Sequence, residues 1–212
     1  MSQAPSCGAL FAGIGGFCFG FEKAGFKTSW STDIDEAATQ TYKLNFPDVP
    51  VFQQDIRTLN INGVINLPPI DVLHAGFPCQ SFSMAGNRDG FKDHRGRLFF
   101  EIIRVLESYG RERPKVVLLE NSPYIKIGDS GSWFDKIRIS LNKAGYWFSP
   151  RNAVIADLAK HYGYPQTRER LFMIAVDKKI FSANPVFVPP KVKAKTLLKN
   201  IVKFGEKDED FF

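Results

Sequence analysis

Ile70-Asp71-Val72-Leu73-His74-Ala75-Gly76-Phe77-Pro78-Cys79-Gln80-Ser81-Phe82-Ser83 is the stretch that decides the fold of this chain. Its first six residues form an apolar run with strand character, and the glycine and proline that follow end it. Cys79 therefore lands at the carboxyl end of a strand, the edge of an open α/β sheet where ligands bind. Pro78 fixes the backbone just before the thiol, and the small and polar residues after it suit a mobile loop rather than a packed core. A lone thiol there is a nucleophile where its surroundings favour the thiolate, and a structural residue otherwise.

Outward from this stretch, strand and helix patterns alternate. A short strand from Cys7 to Phe11 leads through Gly13, Gly15 and Gly16 into a helix reaching Ala24. A strand at Lys27 to Ser31 precedes a helix from about Asp35 to Phe46, and Val51-Phe52-Gln53 makes a third, short strand. Beyond Cys79 a Gly-rich loop runs into a helix from Leu98 to Tyr109. Lys115 to Leu119, apolar and β-branched between Pro114 and Pro123, reads as a buried parallel strand. Residues 131–144 read as a helix capped by Gly145, and Tyr146 to Val154 and Leu171 to Val176 as two closing strands. This alternation predicts an α/β fold with a doubly wound, mostly parallel sheet over residues 1–180. From Phe181 the character changes: Pro185, Pro189 and Pro190 interrupt regular structure, Lys191, Lys193 and Lys195 alternate with small apolar residues, and the chain ends on Phe211-Phe212. Residues 181–212 read as an arm whose apolar ends need a surface to pack against.

Composition narrows the function class. The 212 residues, 44% hydrophobic, suffice for one large domain that buries roughly 70% of its unfolded surface. No apolar run approaches the ~20 residues of a membrane span, and Met1 to Pro5 has no signal-peptide character. Cys7, Cys18 and Cys79 show no CxxC spacing, which points to a reducing cytoplasm, and the three scattered histidines predict no metal site. The net charge of +6 fits a polyanionic partner weakly. Its distribution says more, because Arg88, Lys92, His94, Arg95 and Arg97 cluster just beyond Cys79, where a phosphate backbone would be attracted.

The first βα turn, Phe11-Ala12-Gly13-Ile14-Gly15-Gly16-Phe17, lets backbone approach a ligand closely, but the dinucleotide fingerprint fails at Cys18. That argues for a nucleoside without a pyrophosphate. Asp33 follows the second strand, where a carboxylate accepts from both ribose hydroxyls, and Asp55 follows the third, where one takes the amino group of adenine. Each alone is more often a helix cap or turn residue; together with the glycine turn they outline a purine-nucleoside pocket, with S-adenosylmethionine the leading candidate. Glu120-Asn121 ends a strand parallel to the one carrying Cys79, and apolar Leu118 and Leu119 suit an acid of raised pKa. In Gln166-Thr167-Arg168-Glu169-Arg170, two arginines at i, i+2 point to one side of an extended segment, able to hold an oxygen and a neighbouring carboxylate.

These motifs, in this order, resemble the cytosine-5 DNA methyltransferases, and the match covers nearly everything from Leu10 to about Asp177. Leu10 to Phe17 is similar to the family's cofactor turn, Gly76 to Ser83 to its Pro-Cys motif, Arg95 to Phe99 to the start of the next helix, Glu120-Asn121 to Glu-Asn-Val, and Gln166 to Arg170 to Gln-x-Arg-x-Arg. The resemblance implies that Cys79 attacks C6 of a flipped cytosine in double-stranded DNA. It implies that Glu120 bonds N3 and the exocyclic amine, that Arg168 and Arg170 line the pocket, and that the Phe77 carbonyl takes the amine. Phe11, Gly13, Ile14, Gly15, Gly16, Asp33, Ile34, Asp55, Ile56, Pro78 and Leu98 match positions around the cofactor; Gln80, Ser81, Ser83 and Asn121 match the substrate side. The chain departs from the family pattern at Ala9 and Ser122. Relatives continue into a target-recognition domain and a final Asn-bearing motif, so the expectation is the N-terminal subunit of a two-polypeptide modification methylase. The tRNA-directed branch of the family and a non-catalytic cofactor- or DNA-binding remnant are the alternatives.

Overall fold

β1 (Ser6–Leu10) and β4 (Val72–Gly76) lie side by side and parallel at the centre of an eight-stranded sheet. The structure is a computed structural model and describes residues 4–60, 67–82, 89–188 and 196. Outward from β1 run β2 (Lys27–Asp33) and β3 (Val51–Gln53); outward from β4 runs β5 (Val116–Asn121), all parallel. β8 (Glu169–Asp177) then pairs antiparallel with β5, and both β6 (Tyr146–Trp147) and β7 (Ala153–Asp157) pair antiparallel with β8. The sheet order is β3-β2-β1-β4-β5-β8-β6. The chain thus winds away from β1 in one direction and returns to β4 on its other side. The carboxyl ends of β1 and β4 flank the resulting crevice, where α/β sheets bind ligands.

Residues alternate between the two faces of the central strands. On β1, Leu10 joins the larger core, with Leu73, Ala75, Phe99 and Leu106, whereas Ala9 joins a smaller one with Cys18, Tyr42 and Phe46. α1 (Gly16–Lys23) and α2 (Glu36–Asn45) cover the smaller side. α3 (Leu98–Ser108) buries Phe99, Ile102, Ile103, Val105 and Leu106, a helical repeat whose aliphatic members each gain about 2 kcal/mol by leaving water. α4 (Ser132–Lys143) buries Trp133, Phe134, Ile137 and Leu141 in the same core. α2 starts where the Asp35 carboxylate accepts from the Ala38 N–H at 2.7 Å, a cap that contributes about 1 kcal/mol. On β4, His74 is fully buried, its ring stacked on Phe21 at 4.8 Å. Burial pushes its pKa down to about 3, so the imidazole packs as a neutral ring. No helix among the described residues is long and apolar enough to cross a membrane.

Three expectations need correction. The run from Tyr146 to Val154 is not one strand: β6 stops at Trp147, and a turn at Pro150–Asn152 separates it from β7. Pro150 has no N–H for a ladder, and the Ser149 hydroxyl accepts from the Arg151 N–H, which favours the turn. Gln166 to Arg170 does not wholly precede a strand, because β8 begins at Glu169 and Arg170 pairs with Ala156. The segment after Cys79 is not loop-like throughout. Ser81 and Phe82 are buried, with Phe82 edge-on to Phe77 and Trp133, because one aromatic ring fills the gap between β4 and α4. The sequence also gave no expectation of α5 (Leu158–Tyr162), one short turn between the Asp157 cap and Gly163. Of the arm, only 181–188 and 196 fall within the described residues.

Candidate active site

Three adjoining cavities form one trough along the carboxyl ends of the parallel strands. They measure about 420, 320 and 300 Å³, and Phe11 lines all of them. Phe11 follows β1 directly and holds φ at 54°, a left-handed conformation that costs a non-glycine residue on the order of 1 kcal/mol. The strain turns the chain sharply at the sheet edge. The next segment is held by Asp33 at the end of β2: one carboxylate oxygen accepts from the Gly13 N–H at 2.7 Å, the other from the Asp35 N–H at 3.0 Å.

The glycines of this turn differ in use. Gly16 lines the trough, and a Cβ there would meet nothing within 4 Å. Gly15, at φ 98°, is buried with its Cα against the Phe46 ring, which leaves no room for a side chain. The Asn45 amide donates to the Ile14 carbonyl at 2.9 Å, so the C-terminal end of α2 supports the turn from behind. Ile14 itself is exposed.

The smallest cavity is lined by Asp33 and Asp55, with Ile34, Ile56, Pro78 and Leu98 as apolar walls. Asp55 caps a tight turn at Ile56–Thr58, and the Arg57 guanidinium beside it holds its carboxyl below the usual range. Two carboxylates at successive strand ends, separated by apolar surface, fit a purine nucleoside, with one for hydroxyls and one for an exocyclic amine. Arg57, His94 and Arg95 complete the rim and were not anticipated at this position.

The middle cavity brings Cys79 together with Glu120, Arg168 and Arg170. The parallel register places Gly76 opposite Glu120, so the thiol-bearing loop and the carboxylate leave the sheet at the same level. Gly76 is small because the carboxylate is close: a Cβ there would stand 3.3 Å from Glu120 Oε2. Cys79 is half-buried, whereas Cys7 and Cys18 lie in the core, where burial raises both thiol pKa values, that of Cys18 to about 11. Cys79 is therefore the thiol that a ligand in the trough can meet.

Glu120 is held at 2.8 Å from Arg170 Nε, and Arg170 also donates from Nη1 to the Glu169 carbonyl at 2.8 Å. Burial raises the Glu120 pKa and outweighs the lowering by Arg170 and Arg168. The carboxyl is thus easier to protonate than an exposed one. Arg168 is exposed at the mouth of the same cavity. The largest cavity continues past Glu120 toward Phe17, Ala156, Leu158, Tyr162 and Phe172. Leu158 and Tyr162 come from α5, whose only sequence signal is an Asp cap six residues before a glycine.

Other expected substrate residues divide. Gln80 and Phe77 line the cavity. The buried Asn121 amide donates to the Phe77 carbonyl at 3.0 Å, so it holds the Pro-Cys loop to β5 from beneath. Ser81, fully buried, is not among the lining residues of any of the three cavities, and Ser83 lies outside the described residues. Gly90 N–H donates to the Ser81 carbonyl at 2.9 Å and ties the two described ends of the loop together. No cluster of three or more potential metal ligands occurs among the described residues.

The family model described as C-5 cytosine-specific DNA methylase matches residues 6–210. The chain is similar to the Type II methyltransferase M1.ScrFI of Lactococcus lactis subsp. cremoris, 39% identical over 92% of this chain and 47% of that protein. It is similar to the Type II methyltransferase M.HhaI of Haemophilus parahaemolyticus, 35% identical over 91% of this chain and 55% of that one. The chain thus spans about half the length of these relatives. The solved structure of the Entamoeba histolytica methyltransferase EhMeth shares the fold, with a TM-score of 0.76 and 18% identity over 98% of this chain and 62% of that one.

Proposed function

The chain belongs to the C-5 cytosine-specific DNA methylase family, and from that premise we propose that it carries the catalytic half of an enzyme that methylates C5 of cytosine in double-stranded DNA. The single observation that carries this reading is the convergence of Cys79, Glu120, Arg168 and Arg170 on one cavity. The base must leave the helical stack to enter such a cavity. Cys79 Sγ, as thiolate, then bonds to C6, and the C5–C6 π electrons move toward C5. Glu120, protonated readily because it is buried, hydrogen-bonds N3 and neutralises the charge that develops on the ring. Arg170, fixed by its ion pair, orients that carboxyl and with Arg168 faces the base oxygen. When bound, S-adenosylmethionine supplies the methyl group. Loss of the C5 proton to a base then lets the C6–S bond break, returning the thiolate and restoring the ring.

The lining of the smallest of the three cavities supports this cofactor. Asp33 and Asp55 would take the ribose and adenine, and Ile34, Ile56, Pro78 and Leu98 would enclose the ring. The finer reading assigns residues 1–180 to catalysis and the arm from 181 to contact with a second polypeptide that carries the recognition region. What supports it is the exposed apolar run Val186-Phe187-Val188.

The test is DNA containing 5-fluorocytosine, whose fluorine cannot leave as a proton does, so the adduct stalls. With cofactor and any downstream-encoded polypeptide present, a denaturation-resistant adduct is expected from the wild-type chain and none from Cys79→Ser. No adduct from the reconstituted, active enzyme would overturn the nucleophile assignment, and an adduct with tRNA instead of DNA would move the substrate to RNA. Robust site-specific turnover by the chain alone would overturn the two-polypeptide reading and leave the chemistry intact.

A further inference from the structure

The adenine side of the trough rests on weak local structure. β3 is three residues long, pairs among the described residues only with β2, and leads through Gln54 into the turn that Asp55 caps. Such an edge has little ladder to hold it in place. Ile56 and Leu59 bury their side chains in the core, and the backbone between them is tied to α3. Arg104 donates from Nη1 to the Leu59 carbonyl at 2.9 Å and from Nη2 to the Ile56 carbonyl, and its Nε donates to Glu101 at 2.7 Å. One planar guanidinium thus bridges both ends of the turn while Glu101 fixes its plane. Lysine, a point donor, cannot reproduce that fork. The same helix begins with Leu98, which lines the same cavity as Asp55.

We infer that Arg104 is a positioning residue for purine recognition: it clamps the Ile56–Leu59 turn to α3 and so fixes the Asp55 carboxylate where an exocyclic amine is read. Arg104 lines none of the three cavities and acts only through the turn. The need for a clamp follows from the competition at Asp55. Arg57 engages both carboxylate oxygens, from Nε at 3.1 and 2.9 Å, so a turn free to rotate would let this pair swing toward solvent. Arg57 is exposed and cannot anchor anything itself. This inference rests on the reading of the cavity as a nucleoside site.

The experiment is equilibrium dialysis of the 212-residue chain against S-adenosylhomocysteine and its 6-oxo analogue, S-inosylhomocysteine, which presents an acceptor where adenine presents an amine. Wild type is expected to favour the amine form by about tenfold, the scale of one lost polar pairing at a half-exposed site. Arg104→Met should collapse that preference to below about threefold, with Arg104→Lys between. A purely structural role would lower the folded fraction and weaken both ligands together, leaving the ratio unchanged. An unchanged ratio in both variants overturns the inference, and the lysine variant decides it should the methionine variant fold poorly. A wild-type chain that binds neither ligand, or both equally, refutes instead the nucleoside reading of the cavity.

Discussion

Arg170→Met should destabilise this chain in a manner that depends on pH. The ion pair it removes spans 2.8 Å, with side chains 28% and 20% exposed. Breaking a fully buried pair costs about 3–5 kcal/mol and an exposed one about 0–1, so an intermediate pair is worth about 2 kcal/mol when Glu120 is ionised. Glu120 already has a raised pKa, so the native state holds its proton more tightly than the unfolded chain does. Its contribution to stability is therefore fully present at low pH and lost as pH rises through the raised value. Without the Arg170 cation the pKa rises further, and the loss at high pH deepens. At pH 8 the variant should lose about 2 kcal/mol, or about 4–8 °C in Tm for a chain of this size. Near pH 4, where the carboxyl is largely protonated in both states, the loss should shrink to about 0.5 kcal/mol, since little beyond the bond to the Glu169 carbonyl is then forfeited. Urea unfolding of wild type and variant at both pH values measures the difference, and other carboxylates cancel between the two proteins. In a Glu120→Gln background the pH dependence of the Arg170 effect should vanish. An equal loss at pH 4 and pH 8 would refute the claim that the buried carboxylate, rather than packing of the arginine stem, makes this pair matter.

Two further outcomes test other parts of the fold. Gly90 sits at φ 54° with its Cα against the Trp133 indole, which a Cβ would overlap, whereas Gly110 at φ 57° faces open space. Gly90→Ala should cost about 2–4 kcal/mol in chemical denaturation and Gly110→Ala about 1, and equal losses would remove the packing argument. His74, held neutral by burial with its pKa pushed down to about 3, makes the chain acid-sensitive below its ordinary value of 6.5. Between pH 6 and pH 4.5 wild type should lose stability more steeply than His74→Leu, by up to about 1.4 kcal/mol per pH unit, and parallel slopes would show that the ring is protonated in the folded state.

Much of the site could be read from the sequence because its residues sit at strand ends, and strand ends are marked locally. The apolar run before Gly76-Phe77-Pro78-Cys79, the glycines after Leu10 and the β-branched run before Glu120 each announce an edge without reference to any partner. In a parallel sheet all such edges face one way, so alternation alone implied that Cys79, Glu120, Asp33 and Asp55 would share a crevice. The family resemblance then supplied roles that alternation cannot.

What the sequence could not decide depends on distance through space. The burial of Phe82, in a segment with the composition of a loop, follows from a gap between Phe77 and Trp133 that exists only once α4 has docked. The turn at Pro150–Asn152 and the five-residue α5 are too short to show a period, and both are held by pairing and capping around the antiparallel β8. Arg104 looks in sequence like any charged residue on the outer face of a helix. It becomes a clamp because the chain crosses from β3 beneath α3 and leaves two carbonyls within reach of one guanidinium. Local chemistry determined which residues stand at the sheet edge, since backbone and side-chain preferences act over a few neighbours. Only the tertiary structure decided which of those residues are held rigid, because rigidity comes from partners 45 or more residues away in the chain.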